Sequence, residues 1–200
     1  MRWAIAGAIG LMFGQVAGAF VGVLVYGLVE SMTSVEAATL VGNIGFQLTT
    51  GALIGLLQRL LVRNEIDLPM RWIGFSALGW TAGYVAGALL TIVTSQVFGG
   101  LIGSALPWGV IGLGLGLAQV YAARELLRPA RWWVTLNGLG WALGSLVAVL
   151  GASSALVAGV SPDNSLIALL IPLLTGGVAG ALTGLPLGRI ARQVAPANVE

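Results

Sequence analysis

Cysteine, histidine and lysine are all absent from this chain. Without cysteine there is no disulfide, no thiolate nucleophile and no Cys-type metal site, and the redox compartment is unreadable. Without histidine the usual general base, the usual zinc or haem ligand and the physiological-pH switch are missing. The serines and threonines have no evident base to activate them. The expectation is therefore a protein that is not an enzyme, with no catalytic residue, no metal site and no cofactor. Charge is scarce as well: 8% of residues are charged and 58% are hydrophobic, with a mean hydropathy of +0.97. A domain of 200 residues needs a polar exterior to live in water, so lipid must be part of this one's solvent.

All nine basic residues are arginines, and they fall in four clusters: Arg2; Arg59, Arg63 and Arg71; Arg124, Arg128 and Arg131; Arg189 and Arg192. The intervals between clusters, about 50 to 57 residues, each hold two membrane-spanning helices and a turn. Six crossings follow. Because Lys and Arg concentrate on the cytoplasmic side, both termini are expected inside. Topology accounts for the basic pI of about 9.7. No basic run interleaved with aromatics points to nucleic acid as a partner. The uncharged stretch from Trp3 to Val29 is longer than the ~7 to 15 residues of a signal-peptide core, and reads as a retained helix.

The expected spans are about Trp3 to Leu28, Val35 to Val62, Trp72 to Val97, Ile102 to Ala123, Trp132 to Val157 and Ser165 to Leu187. In the first outer turn Thr33 and Glu36 have capping-box spacing. The outer turn Ser161-Pro162-Asp163-Asn164-Ser165 offers turn formers and an N-cap, and the middle one, Phe98-Gly99-Gly100-Leu101, is uncharged. Pro107, Pro172 and Pro186 fall inside spans and are expected to bend them. Trp3, Trp72 and Trp132-Trp133 each follow an arginine at the start of an odd-numbered span, the place where an indole anchors at the membrane interface.

A two-helix unit recurs. Gly51-x-x-x-Gly55-x-x-Gln58 followed by Arg63 matches Gly112-x-x-x-Gly116-x-x-Gln119 followed by Arg124 at an offset of 61. At that offset Trp72 maps on Trp133, Gly79-Trp80 on Gly140-Trp141 and Gly83 on Gly144. Trp3, Gly10 and Gly14 keep the spacing of Trp72, Gly79 and Gly83, and Gly180-x-x-x-Gly184 echoes the even-helix motif with Leu187 where the glutamine should stand. The fold class expected is an all-α integral membrane protein: a single transmembrane domain over 1–200, built from three parallel hairpin repeats of about 1–64, 65–128 and 129–192 in a pseudo-threefold bundle. The G-x-x-x-G-x-x-Q motif, followed by Trp and G-W-x-x-G, resembles an uncharacterised family of multispanning bacterial membrane proteins of cyanobacterial type. That resemblance covers about Gly51 to Gly144 and implies no activity.

Thirty-one glycines, many at four-residue spacing, let helices approach closely. The helix-packing candidates are Gly10, Gly14, Gly18, Gly51, Gly55, Gly79, Gly83, Gly112, Gly116, Gly180 and Gly184. The polar candidates within the spans are Gln15, Asn43, Gln47, Gln58, Gln119 and Asn137, as interhelical bonding groups or as solute contacts. No ionisable group lies mid-span, which removes most proton-relay, voltage-sensing and ion-coupled mechanisms. The leading expectation is a non-catalytic packing or assembly subunit in the lipid bilayer, bound to another membrane protein or to copies of itself. The alternative is a small neutral-solute binding or transport protein in which Asn43, Gln47 and Asn137 line a cavity.

Overall fold

A computed structural model describes residues 1–98, 100–127, 132–157 and 165–194, and it is all-helical. The six long helices are α1 (Arg2–Glu30), α2 (Val35–Val62), α3 (Arg71–Phe98), α4 (Gly100–Ala122), α6 (Trp133–Val157) and α7 (Ser165–Val194). A single extra turn, α5 (Arg124–Leu127), occupies the loop after α4. All six long helices are long and apolar enough to cross a membrane, as expected where the backbone must satisfy its own hydrogen bonds. Their limits fall within about two residues of the expected spans, except that α7 runs past Leu187 to Val194. α4 continues through Pro107, and α7 through Pro172 and Pro186.

The first turn departs from the expected capping box. Ser34 is the N-cap of α2 and accepts from the Ala37 amide at 3.3 Å. Thr33 instead donates to the Val29 carbonyl, closing the preceding helix. Gly99, the turn over 158–164, Arg128 and Arg131 lie outside the described residues.

Each long helix packs on the one before and the one after it, and α7 returns to α1, so the bundle is a closed ring in chain order. Glycine rows set the spacing. Down the α1–α2 seam, Gly10 faces Ile54, Gly14 faces Thr50, Gly18 faces Phe46 and Gly22 faces Gly42. A Cβ added at Gly18 would sit 2.8 Å from the Phe46 carbonyl oxygen, closer than any side chain tolerates. The same approach brings Thr50 Oγ1 within 3.0 Å of the Gly14 carbonyl on the neighbouring helix. Gly79, Gly83 and Gly87 face α4, and Gly140 and Gly144 face α7. The glycines of the even-numbered hairpin arms turn the other way: Gly51 and Gly55 face α3, Gly112 and Gly116 face α6, and Gly176, Gly180 and Gly184 face α1. Lipid supplies no hydrophobic drive between helices, so dispersion contact at such seams carries the packing.

The outer face is apolar, and the interior holds polar groups among its apolar ones. Phe13, Phe20, Leu89 and Leu117 are more than half exposed, whereas Gln58, Ser76, Gln119 and Asn137 are buried. Arg2, Arg59 and Arg71 lie at one end of the bundle. There Arg71 Nε donates to the Ala122 carbonyl at 2.6 Å, a cation on the negative end of α4, and Arg59 Nε donates to the Leu68 carbonyl at 2.8 Å. Arg2 pairs with Glu65 at 3.1 Å, both about half exposed, a geometry that contributes little to stability.

Candidate functional site: an aromatic cavity over a tryptophan and amide plug

At the arginine end the first tryptophan of each odd-numbered hairpin arm points to the bundle axis rather than to the membrane interface. Trp3, Trp72 and Trp133 pack edge to face on one another, with centroids 5.6 to 6.3 Å apart. Their exposures are 5%, 0% and 0%, whereas Trp132, one residue earlier, is 70% exposed. The interface-anchor expectation therefore holds no place for these three. Each lies seven residues before a packing glycine, at Gly10, Gly79 and Gly140, and that spacing is two helical turns, so the indole shares the inward face.

Desolvated indole N–H groups need acceptors. Trp72 Nε1 donates to Gln58 Oε1 at 3.2 Å and Trp133 Nε1 donates to Gln119 Oε1 at 3.3 Å. Gln119 Nε2 donates in turn to Gln58 Oε1 at 2.8 Å and to Ser76 Oγ at 3.2 Å. Asn137 Nδ2 donates to the Trp133 carbonyl at 3.1 Å. Trp3 Nε1 donates at 2.8 Å to Thr183 Oγ1. Sequence spacing had put position 187 in the glutamine's place, and the structure gives that part to Thr183. Gly55, Gly116 and Gly180 each face the residue that follows the tryptophan, at Ile73, Val134 and Ala4. The third arm is thus in register through Gly176-x-x-x-Gly180-x-x-Thr183, one turn earlier. No buried side-chain polar atom among the described residues lacks a partner. Leu11, Ile54, Trp80, Leu115, Trp141 and Ala179 form a second apolar layer beyond these amides, completing a plug.

Beyond the plug, between α1, α2, α3 and α4, lies a cavity of about 420 Å³, within the size range of small-molecule sites. Its aromatic wall is Phe46, Trp80, Tyr84 and Trp108, and its polar groups come from Gln15, Gln47, Thr50 and Thr91. Gly87 and Pro107 complete one side. Trp80 meets Trp141 edge to face at 4.8 Å and Trp108 at 6.2 Å. Trp80 Nε1 donates to Gln47 Oε1 at 2.8 Å. None of the lining residues carries a formal charge, and no metal-binding group of acids is present among the described residues.

Of the six polar candidates, Gln15 and Gln47 meet in this cavity, and Gln58, Gln119 and Asn137 belong to the plug. Asn43 faces outward in a shallow groove with Ala19, Tyr26 and Thr39. The expected trio of Asn43, Gln47 and Asn137 is therefore not brought together. Trp80, Tyr84, Trp108 and Thr183 are the residues that sequence reasoning missed. The signal for Trp80 was available, in its place one residue after Gly79 and eight after Trp72. No protein-family model, no curated protein and no solved structure matches the chain.

Proposed function

We propose that this chain binds a small neutral solute within the membrane, in the cavity between α1 and α4. One observation carries the reading. Gln47 is 7% exposed, its oxygen accepts from Trp80, and among the described residues its Nε2, at the cavity wall, has no protein acceptor. Because no fully buried side-chain polar atom among those residues lacks a partner, that NH₂ opens on the cavity, where a ligand or water can accept from it. The plug across the route toward the arginine end supports a binder over an open pore. Without His, Cys or Lys and without a charged lining, the reading includes no catalysis.

Naphthalene is a suitable first probe, being small, neutral and flat. Equilibrium dialysis of the purified protein in mild detergent should show saturable binding, one per chain, and Thr91→Trp should abolish it by filling the cavity. Absence of saturable uptake by the unmodified protein would remove the reading.

The architecture proposed with it is three hairpin units, about 1–64, 65–128 and 129–192, around an axis along the membrane normal. It is supported by the 61-residue offset, by the three tryptophans on the axis, and by the matching positions of Gly55, Gly116 and Gly180. The setting is the plasma membrane of a bacterium with both ends inside: Arg2, Arg59 and Arg71 at one end of the bundle support the sidedness, and the motif resemblance supports the bacterium. Kinship with the cyanobacterial-type family rests on the motif alone.

A second reading, a packing subunit of a larger membrane assembly or of a homo-oligomer, is favoured by two shallow lipid-facing grooves. One runs beside Gly22 and Gly42, the other beside Gly109 and Gly138. The glycine rows that first suggested it are used within the chain. A mass in mild detergent equal to one chain, with nothing copurifying, would exclude it.

A further inference from the structure

The donors and acceptors of the cavity are unequally spent, and the imbalance defines the ligand's chemistry. Thr50 Oγ1 lies 3.0 Å from both the Gly14 and the Phe46 carbonyls, and Thr91 donates to Gly87 at 2.9 Å, so both hydroxyl protons are used on backbone. The Gln47 oxygen is used on Trp80. An indole N–H can only donate, so this contact fixes which end of the Gln47 amide faces the cavity: the NH₂. Gln15 and Tyr84 line the same space, and among the described residues neither amide nor phenol donates to the protein.

We infer that the cavity takes a flat, neutral ring bearing carbonyl oxygens, of the quinone type, with Gln47 Nε2 as the fixed donor and Gln15 and Tyr84 as further donors. This rests on the binding reading above and narrows it. An ion is excluded, since no charged group lines the cavity and an uncompensated charge in low dielectric is strongly disfavoured. Aromatic walls from Trp80 and Trp108 favour a planar ring that stacks or meets them edge-on. Gln15 and Tyr84 can each donate or accept, whereas the one fixed polar group, Gln47 Nε2, only donates, so a ligand that brings an acceptor gains affinity over the same ring without one. The inference concerns binding alone and includes no electron-transfer step.

The test compares menadione with naphthalene, which share a fused two-ring skeleton, menadione carrying two carbonyls and a methyl group on its quinone ring. Menadione should bind more tightly than naphthalene after correction for uptake by empty micelles. Infrared difference spectra of the bound quinone should show a carbonyl stretch moved to lower wavenumber. Gln47→Leu should weaken menadione about fivefold to tenfold, the loss of one hydrogen bond, and erase the shift, with far-UV circular dichroism like the parent's showing that the variant still folds. Equal binding of the two probes, or an unshifted carbonyl stretch, overturns the inference and leaves neutral-solute binding standing. Failure of both probes overturns both.

Discussion

Replacing Gln119 by leucine tests whether the amide layer holds the bundle together. Gln119 is fully buried and touches three partners: it accepts from Trp133 and donates to Gln58 and Ser76. After Gln119→Leu, Gln58 Oε1 still accepts from Trp72, and the Ser76 hydroxyl can turn to a carbonyl of its own helix. Trp133 Nε1–H has no such recourse and is left without an acceptor at zero exposure. An orphaned buried donor costs about 1–3 kcal/mol. Interhelical hydrogen bonds in membranes average only ~0.6 kcal/mol, because the unfolded chain also finds partners, and three of them sum to about 1.8 kcal/mol on that average. Both routes converge on a loss of about 2 kcal/mol. The assay is reversible unfolding by SDS in mixed micelles, followed by far-UV circular dichroism. Trp133→Phe in the Gln119→Leu background removes the orphaned donor, so the pair should be less destabilised than the two singles summed, by about 0.5–1 kcal/mol or more. A single variant within about 0.3 kcal/mol of the parent, or strict additivity of the two, would refute the argument that the amides are needed by the indoles.

Two more predictions concern seams and sidedness. Gly83→Val should destabilise strongly or block folding, since even a Cβ at that site would lie 2.7 Å from Ile111 Cα, whereas Gly27→Ala and Gly74→Ala, which meet nothing within 4 Å, should match or exceed the parent in the same SDS titration. Because the chain has no cysteine, single replacements report topology without background: Met32→Cys should react with an impermeant maleimide added to intact cells, and Asn64→Cys should react only after lysis. The opposite pattern would invert the proposed orientation.

The spans were legible because uncharged stretches between arginine clusters leave little choice of where helices begin and end. The packing faces were legible too, since four-residue glycine spacing marks one side of a helix. What escaped was whatever depends on how far a helix is turned about its own axis. Trp3, Trp72 and Trp133 stand beside arginines, and adjacency in sequence suggested the interface. One residue is about 100° of helix rotation, which is enough to put Trp132 in the headgroup region and Trp133 on the axis. Thr183 escaped for a related reason: the third arm has Gly176, Gly180, Gly184 and Gly188 in one row, so a motif read from two glycines fits at more than one turn. Asn43 and Gln47 are one turn apart on the same helix, yet the first meets the lipid side and the second the cavity, a division set by the edge of the α1–α2 seam rather than by residue type.

The seam between α1 and α7 has a consequence for biosynthesis. Trp3, Ala4 and Gly7 close against Gly176, Gly180 and Thr183, so α1 leaves the ribosome well before the neighbour it closes against. At about 5–20 residues per second, α1 resides in the bilayer for on the order of ten seconds before its second neighbour arrives. During that interval its indole donor and one glycine face are covered only by lipid or by insertion machinery. Ring closure therefore waits for α7, and a nascent chain halted before α7 presents an open-sided bundle to whatever surveys the membrane for unfinished proteins.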